Sequence, residues 1–314
     1  MGRRAYSATG LRRRGRLLLC SSTVMVVLIA AGLRWLRRDP ADHMLARYGQ
    51  LADVVEGPLT RVAGGLVDRD VRITSKSGLA VDLLVRRPEN LGTAPRPAML
   101  VLGGIRTGRK SAQLVPDTHG FVIAGVSYPT HLTRIGRLSE VFEARRALID
   151  TPPALMLGVD YLRSLPFVDP ERIELVGVSL GAPMVCVAGA LDQRVCRIWS
   201  MYGGAAPMRI FEQGLKKDIR NAWLRRPAAW CITALSDGFT LAPETWVERI
   251  SPRPFLMVNA SGDERIPLEC VELLFASAAD PKELIWIEGG HLDKHDQTEV
   301  ARLIELVVSH PAPR

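Results

Sequence analysis

The feature that most constrains this 314-residue chain is a glycine-serine pentapeptide set between two regular elements. Residues 177–181 read Gly-Val-Ser-Leu-Gly, with an apolar run at 173–176 before them and a helix-forming run at 182–191 after them. Because glycine lacks a Cβ, the pattern predicts a sharp strand-to-helix turn in which the two backbones lie too close for side chains. Such a turn strains Ser179 and exposes its hydroxyl at the carboxyl edge of a sheet.

Apolar runs alternate with segments of helical periodicity, such as 139–149 and 153–165, along most of the remaining chain. The predicted strands cover 98–102, 121–126, 173–176, 195–202, 255–260 and 284–287. This alternation predicts an α/β domain whose mostly parallel sheet is covered by helices on both faces.

The predicted domain covers residues 66–310 and begins with an antiparallel hairpin formed by 71–73 and 80–85. Residues 37–65 are predicted to be a helix and linker because Gly-Pro and Gly-Gly pairs interrupt them. The segment 203–250 is long and rich in Trp and Arg. It is predicted either as a cap that shapes a pocket or as a peripheral helical insertion.

Two residues downstream of the pentapeptide could activate the serine. A serine hydroxyl is a poor nucleophile unless a base removes its proton and a carboxylate orients that base. On an open sheet these partners follow in the order acid, then histidine, each at the carboxyl end of a strand. Asp263 follows the strand 255–260 and His291 follows the strand 284–287. We therefore expect Ser179, Asp263 and His291 to meet as a catalytic triad.

Weaker candidates exist for both partner roles. His295 is the competing base, but its spacing from His291 places it in the next helix, facing away. Asp237 and Asp293 are weaker acids because neither directly follows a predicted strand.

The chemistry also needs N–H donors for a developing oxyanion. One donor is expected to be the backbone amide of Leu180, at the start of the helix after the serine. The other is expected from the glycine-rich loop 102–108, with Ile105 as first choice and Gly104 as second. A phosphate cradle is the alternative for this loop, but the G-x-x-x-x-G-K-[ST] pattern is absent.

Taken together, these residues resemble the α/β-hydrolase superfamily over about residues 66–310. The matching motifs are Leu-Gly-Gly-Ile at 102–105, Gly-x-Ser-x-Gly at 177–181, Gly-Asp-x-x-Ile-Pro at 262–267 and Gly-His at 290–291. The stretch Phe-Val-Asp-Pro-Glu-Arg-Ile at 167–173 is similar to the branch of dienelactone hydrolases, acetyl-xylan esterases and acyl-CoA thioesterase relatives. Two departures are Leu-Gly-Gly in place of the common His-Gly, and a serine where dienelactone hydrolases have cysteine.

The resemblance implies an eight-stranded sheet, a Ser-His-Asp triad, and neither a metal nor an organic cofactor. It implies a serine hydrolase that cleaves carboxylic ester or thioester bonds of a small-molecule acyl substrate. Peptidase or perhydrolase chemistry on the same triad is the enzymatic alternative. A non-catalytic, membrane-tethered binding module on this scaffold is the other alternative.

Charge distribution argues against a nucleic-acid partner. The chain has a net charge of +8, but residues 1–38 contain nine arginines and no acid. The remaining residues contain 32 basic and 33 acidic side chains, so the basic character belongs to the amino-terminal leader.

The leader predicts a single-pass membrane anchor. Residues 17–33 carry no charge and would span about 25 Å as a helix, with arginines on both sides and Trp35 at one end. We expect a basic cytoplasmic leader at 1–16, a transmembrane signal anchor at 17–36 and an extracytoplasmic catalytic domain. Secretion after signal cleavage is the alternative. Outside the cytoplasm, Cys186, Cys196, Cys231 and Cys270 could form disulfides, or they could be buried free thiols.

Overall fold

The computed structural model describes residues 40–105, 107–129, 138–293 and 296–310, apart from the side chains of 138–141 and 297. The strands are β1 (Leu51–Glu56), β2 (Thr60–Val62), β3 (Leu66–Ser75), β4 (Ala80–Pro88), β5 (Arg96–Leu102), β6 (Val122–Val126), β7 (Val168–Val178), β8 (Arg197–Met201), β9 (Phe255–Ala260) and β10 (Lys282–Ile287). The helices are α1 (Pro40–Tyr48), α2 (Leu138–Ser164), α3 (Gly181–Leu191), α4 (Pro207–Gly214), α5 (Ala222–Leu235), α6 (Leu268–Ser277) and α7 (Gln297–Ser309). A 3-10 helix covers Gly108–Leu114.

The strands form one mixed sheet in the order β1-β3-β4-β6-β5-β7-β8-β9-β10, with β2 also paired to β3. In this order, every pair of neighbours from β6 through β5 and β7 to β10 is parallel. The pairs β1–β3, β2–β3, β3–β4 and β4–β6 are antiparallel. The predicted hairpin is confirmed as β3 and β4. The carboxyl ends of β5, β7, β9 and β10 therefore share one edge, where ligands bind in open α/β sheets.

Two predictions about the extent of the domain are wrong. Within the described residues the sheet has ten strands rather than eight, and the predicted helix and linker at 37–65 also contains strands. Strands β1 and β2 lie within them and pair with β3, for example Val54 with Ile73 and Arg61 with Val67. Strand β1 is exposed along nearly its whole length, so its formation depends on backbone pairing and it lacks the apolar alternation that marks a strand.

The two faces of the sheet are covered by different elements. Helix α3 packs against β7 and β8 on one face. On the other face, Val176 and Met201 belong to a hydrophobic cluster that includes Ala112 of the 3-10 helix and Leu303 of α7. Because side chains alternate across a strand, Gly177 faces α3 while Val176 and Val178 face α7.

Helix α2 is continuous where helical spacing alone indicated two segments, 139–149 and 153–165. Pro152 and Pro153 lie inside it and remove two backbone donors. The Thr151 hydroxyl donates to the Ala147 carbonyl oxygen at 2.7 Å within the same stretch. Residues 150–159 are buried, so packing against the core outweighs the cost of the prolines.

The four cysteines Cys186, Cys196, Cys231 and Cys270 are free thiols. Burial raises the pKa of Cys186 to about 12 and the pKa values of Cys196 and Cys270 to about 11. These three thiols therefore stay protonated near neutral pH, which is typical of unreactive packed cysteines.

The leader 1–16 and the anchor 17–36 lie outside the described residues, so the membrane anchor stays a prediction. Among the residues that the structure does describe, no helix combines the length and apolarity needed to cross a membrane.

A buried ion pair links the antiparallel part of the sheet to the face that carries α7. The Arg86 guanidinium on β4 donates from Nε and Nη2 to the two carboxylate oxygens of Asp68 on β3, at 2.8 and 2.9 Å. Its Nη1 donates to the carbonyl oxygens of Gln113 and Val115, at 3.1 and 2.9 Å. Both partners are less than a tenth exposed, so the pair fixes the segment after the 3-10 helix to the hairpin.

Asp68→Ala should lower the free energy of unfolding by roughly 3–5 kcal/mol, because the buried guanidinium loses its carboxylate. The matched control is Glu89→Ala, which removes the partner of the exposed Arg61 and should cost less than about 1 kcal/mol. Urea unfolding of both variants measures the difference, and equal losses would contradict the role of the buried pair.

Candidate active site

The turn that carries Ser179 is built by two close backbone approaches. A Cβ placed on Gly181 would lie 2.0 Å from the Leu102 carbonyl oxygen, and one on Gly177 would lie 2.4 Å from the Gly181 carbonyl oxygen. Real Cβ atoms do not approach backbone this closely, so both positions require glycine. Strand β5, strand β7 and helix α3 are thereby brought into direct backbone contact.

Ser179 itself has a φ of 56°, which is left-handed backbone that a serine rarely adopts. Its N–H donates to the Met201 carbonyl oxygen at 2.9 Å, and its carbonyl oxygen accepts from the Ala182 N–H at 3.0 Å. These bonds to β8 and to α3 hold the strained residue in place. The sharp turn predicted from the pentapeptide is therefore confirmed.

Ser179, His291 and Asp263 lie within hydrogen-bond distance of one another in series. Ser179 Oγ is 2.9 Å from His291 Nε2, and His291 Nδ1 is 2.8 Å from Asp263 Oδ2. The His291 and Asp263 side chains are each only 3% exposed, so the carboxylate acts on the imidazole with little screening by water. With Nδ1–H donating to Asp263, His291 Nε2 is left as the acceptor that faces the serine hydroxyl.

The backbone around Asp263 fixes both of its oxygens. Its Oδ1 accepts from the N–H groups of Arg265 and Ile266, at 2.8 and 3.0 Å, which leaves Oδ2 directed at the imidazole. The neighbouring Glu264 accepts the His291 N–H at 3.1 Å, and this bond lowers the pKa of Glu264. Both acidic side chains of the β9 loop therefore hold the β10 loop in position.

Tyr202 also contacts the imidazole, and the sequence analysis did not single it out. It directly follows β8, has a φ of 50°, and its ring meets the His291 ring edge-on at 5.4 Å between centroids. Its hydroxyl donates to Glu299 Oε1 on α7. Burial and then this bond raise the pKa of Tyr202, so the phenol stays protonated. Its position at the active edge of a strand was the signal that could have identified it.

The residues predicted to supply the oxyanion donors line the cavity beside Ser179, and their role as donors stays a prediction. Ile105 and Gly104, in the loop after β5, line a single cavity together with Ser179, Leu180 and His291. Within the part of the chain that the structure describes, no carbonyl or side chain accepts a hydrogen bond from the N–H of Leu180 or Ile105. Among the described residues, neither amide is therefore engaged in a hydrogen bond.

This cavity has a volume of about 780 Å³ and extends between the sheet and α7. Its sheet wall is formed by Met99, Val101, Ile123, Val176, Val178 and Met201. Its helix wall is formed by Val300, Leu303, Ile304, Val307 and Val308. The volume is typical of small-molecule sites.

Besides Ser179, three hydroxyl side chains line the cavity among the described residues, those of Thr107, Ser111 and Thr118. Ser111 Oγ donates to the Val101 carbonyl oxygen at 3.2 Å. Thr118 Oγ1 is buried and has no hydrogen-bond partner among the described residues.

The segment 203–250 does not supply the cavity wall, since none of its residues is among those that line the cavity in the described structure. It forms α4, α5 and two short 3-10 helices, and Asp237 is held by Arg145 of α2 at 2.6 Å. A hydrogen bond from Gln213 Nε2 to the Glu264 carbonyl oxygen, at 3.1 Å, joins the segment to a residue that lines the cavity. The segment therefore contributes no wall to this cavity within the described residues, and the choice between a cap and a peripheral insertion stays a prediction.

The weaker candidates do not replace the three central residues. Asp237 is engaged by Arg145, as described above. Asp293 lines the cavity, whereas the residue in contact with His291 Nδ1 is Asp263. His295 lies outside the described residues.

Comparisons with known proteins define the fold. The chain matches no protein-family model. It is 29% identical over 162 residues to the uncharacterized protein YfhR of Salmonella typhimurium, an alignment that covers 49% of this chain and 51% of YfhR. The chain thus spans about half the length of the curated relatives it matches.

Two solved structures are similar over most of both chains. Acetyl xylan esterase 1 from Thermoanaerobacterium sp. superposes with a TM-score of 0.62 at 15% identity, covering 87% of this chain and 94% of the esterase. The α/β hydrolase GrgF from Penicillium sp. superposes with a TM-score of 0.54 at 19% identity, covering 77% of this chain and 98% of GrgF. The chain therefore has the α/β-hydrolase fold, as its motifs predicted.

Gly181→Ala should destabilise the fold by roughly 3 kcal/mol or more, because the new methyl group would overlap the Leu102 carbonyl. Gly214→Ala is the matched control, since a Cβ there meets nothing within 4 Å. Thermal unfolding of both variants provides the measurement. A Gly181→Ala protein as stable as Gly214→Ala would contradict the close contact at the turn.

Proposed function

We propose that this protein is a serine hydrolase that cleaves carboxylic esters through an acyl-enzyme intermediate. The observation that carries the proposal is the hydrogen-bonded series from Ser179 Oγ through the His291 ring to Asp263, at 2.9 and 2.8 Å. The likeness in fold to an acetyl xylan esterase supports this class of reaction. Thioesters are a second substrate class for the same residues.

In the first half-reaction, Ser179 Oγ bonds to the acyl carbon while His291 Nε2 takes its proton. The carbonyl π electrons move to the oxygen, which the amides of Leu180 and Ile105 would stabilise. Asp263 stabilises the imidazolium that forms. The bond from carbon to the alcohol oxygen then breaks, and His291 gives its proton to the departing alcohol.

In the second half-reaction, a water molecule attacks the acyl carbon and His291 Nε2 takes one of its protons. The bond from carbon to Ser179 Oγ breaks, and the imidazole returns its proton to the serine. The net reaction converts ester and water to carboxylic acid and alcohol, and the protein is regenerated.

Peptidase and perhydrolase chemistry would use the same three residues, and a panel of amide substrates and peracid assays separates them from ester hydrolysis. A non-catalytic binding module would give no turnover with any acyl ester. The intact Ser-His-Asp series favours catalysis, because a module that only binds does not need a nucleophile held against a base.

Ser179→Ala should abolish labelling by a fluorophosphonate probe and lower kcat for p-nitrophenyl butyrate by roughly 10⁴-fold or more, because the nucleophile is lost. Ser111→Ala is the control, since Ser111 lines the same cavity but does not contact His291. If labelling survived in Ser179→Ala and disappeared in Ser111→Ala, the nucleophile would be Ser111 and the assignment of Ser179 would be wrong.

Asp263→Asn should lower kcat by roughly 10⁴-fold with little change in KM, because an amide cannot hold the imidazole in the tautomer that accepts the serine proton. Asp293→Asn, at the mouth of the same cavity, is the comparison and should retain most of the activity. If Asp263→Asn kept the wild-type kcat, as Asp293→Asn is expected to do, Asp263 would not be the acid that orients His291.

A further inference from the structure

We propose that the cavity beside Ser179 binds the acyl chain of the substrate, and that the preferred chain is about ten carbons long. This inference rests on the proposed function, and it adds the substrate class that the three central residues leave open.

The chemistry of the wall is the first argument. The sheet side carries Met99, Ile123 and Val176, and the helix side carries Leu303 and Val307, all of them buried. Apart from the hydroxyls of Thr107, Ser111 and Thr118, the described walls are aliphatic and offer a carbohydrate or a charged acyl group few partners for its polar atoms. An alkyl chain loses no hydrogen bonds on entering the cavity and gains dispersion contacts on both sides.

The dimensions set the length of the chain. On β5 the lining positions run from Met99 through Val101 to Gly103, four residue steps or about 13 Å. On α7 they run from Val300 to Val308, eight steps or about 12 Å. An extended alkyl chain of about ten carbons covers the same distance, given C–C bonds near 1.5 Å.

The cavity forms a channel that runs from the carboxyl edge of the sheet towards the opposite edge, as the residues on its two walls indicate. Gly103 and Val300 lie towards the carboxyl edge of the sheet, where Ser179 and His291 are. Met99 and Val307 lie at the opposite end, about 12 Å away. Position 307 therefore marks the far end of the channel.

The path by which water must reach the acyl carbon indicates that the acyl part of the ester, and not the alcohol part, occupies the cavity. After the alcohol leaves, water must reach the acyl carbon beside His291. The mouth of the cavity carries the polar side chains of Glu264, Arg265 and Asp293, whereas its interior is aliphatic. An alcohol at the polar mouth is readily replaced by water, and the chain that stays bonded to Ser179 occupies the apolar channel.

The test measures kcat/KM for p-nitrophenyl acetate, butyrate, octanoate, decanoate and palmitate, which share one leaving group. We expect decanoate to exceed acetate by roughly two orders of magnitude, because each buried methylene contributes favourably, and palmitate to fall below decanoate. A second series of ethyl, butyl and octyl acetates lengthens only the alcohol and should give little change. A rise in the alkyl acetate series with no rise in the acyl series would overturn the proposal.

Val307→Trp tests the far end by filling it. The ratio of kcat/KM for decanoate to that for butyrate should fall at least tenfold, because the indole occupies the space of the terminal carbons. Glu305→Trp places the same side chain on the exposed face of α7 and should leave the ratio unchanged. If Val307→Trp does not fold, Val176→Phe narrows the opposite wall and should lower the same ratio. An unchanged ratio in a folded variant would overturn the proposal.

Binding without turnover separates this inference from the proposed function. Decanoic acid should raise the unfolding temperature of Ser179→Ala, whereas acetic acid at the same concentration should not. No hydrolysis of any ester together with this stabilisation would reject the proposed function and retain the channel. Hydrolysis of acetate without a gain for longer acyl chains, and without stabilisation by decanoic acid, would reject the channel and retain the hydrolase.

Discussion

The close contact of three backbone segments at Gly177 and Gly181 is the constraint on which the rest of this site depends. A methyl group at Gly181 would overlap the Leu102 carbonyl oxygen at 2.0 Å, so β5, β7 and α3 can meet only without side chains there. The contact forces Ser179 into left-handed backbone and sets the adjacent Leu180 amide beside the loop that follows β5. Local strain of this kind persists only where the surrounding structure over-determines it.

The partners of the serine depend on parallel pairing rather than on local strain. Strands β9 and β10 end side by side, so the loops that carry Asp263 and His291 leave the sheet at the same edge. Glu264 then bonds the His291 backbone, and the Tyr202 ring packs against the imidazole. The imidazole is therefore restrained at Nδ1, at its backbone and at one ring edge, which leaves Nε2 directed at the hydroxyl.

Much of the domain could be predicted because the parallel strands β6, β8 and β9 are buried along their whole length and are largely apolar runs in the sequence. Ser179, Asp263 and His291 could be identified from the sequence because each follows an apolar run, where a strand ends at the active edge of the sheet. Strand β1 was missed because exposed residues carry no apolar period, and α2 appeared divided because local proline signals ignore tertiary burial. The cavity could not be predicted, since it depends on the spacing between α7 and the sheet and not on any motif.

The hydrogen bonds of the Arg86 guanidinium support the wall of the cavity as well as the stability of the fold. It bonds Asp68 in the hairpin and, through two carbonyls, the segment that includes Val115 on the cavity wall. The antiparallel hairpin is therefore an outer support for the substrate channel, although it contributes nothing to the reacting atoms. Sequence drift in β3 and β4 could alter which substrates are accepted while the nucleophile, base and acid stay unchanged, so that selectivity and reactivity evolve separately on this scaffold.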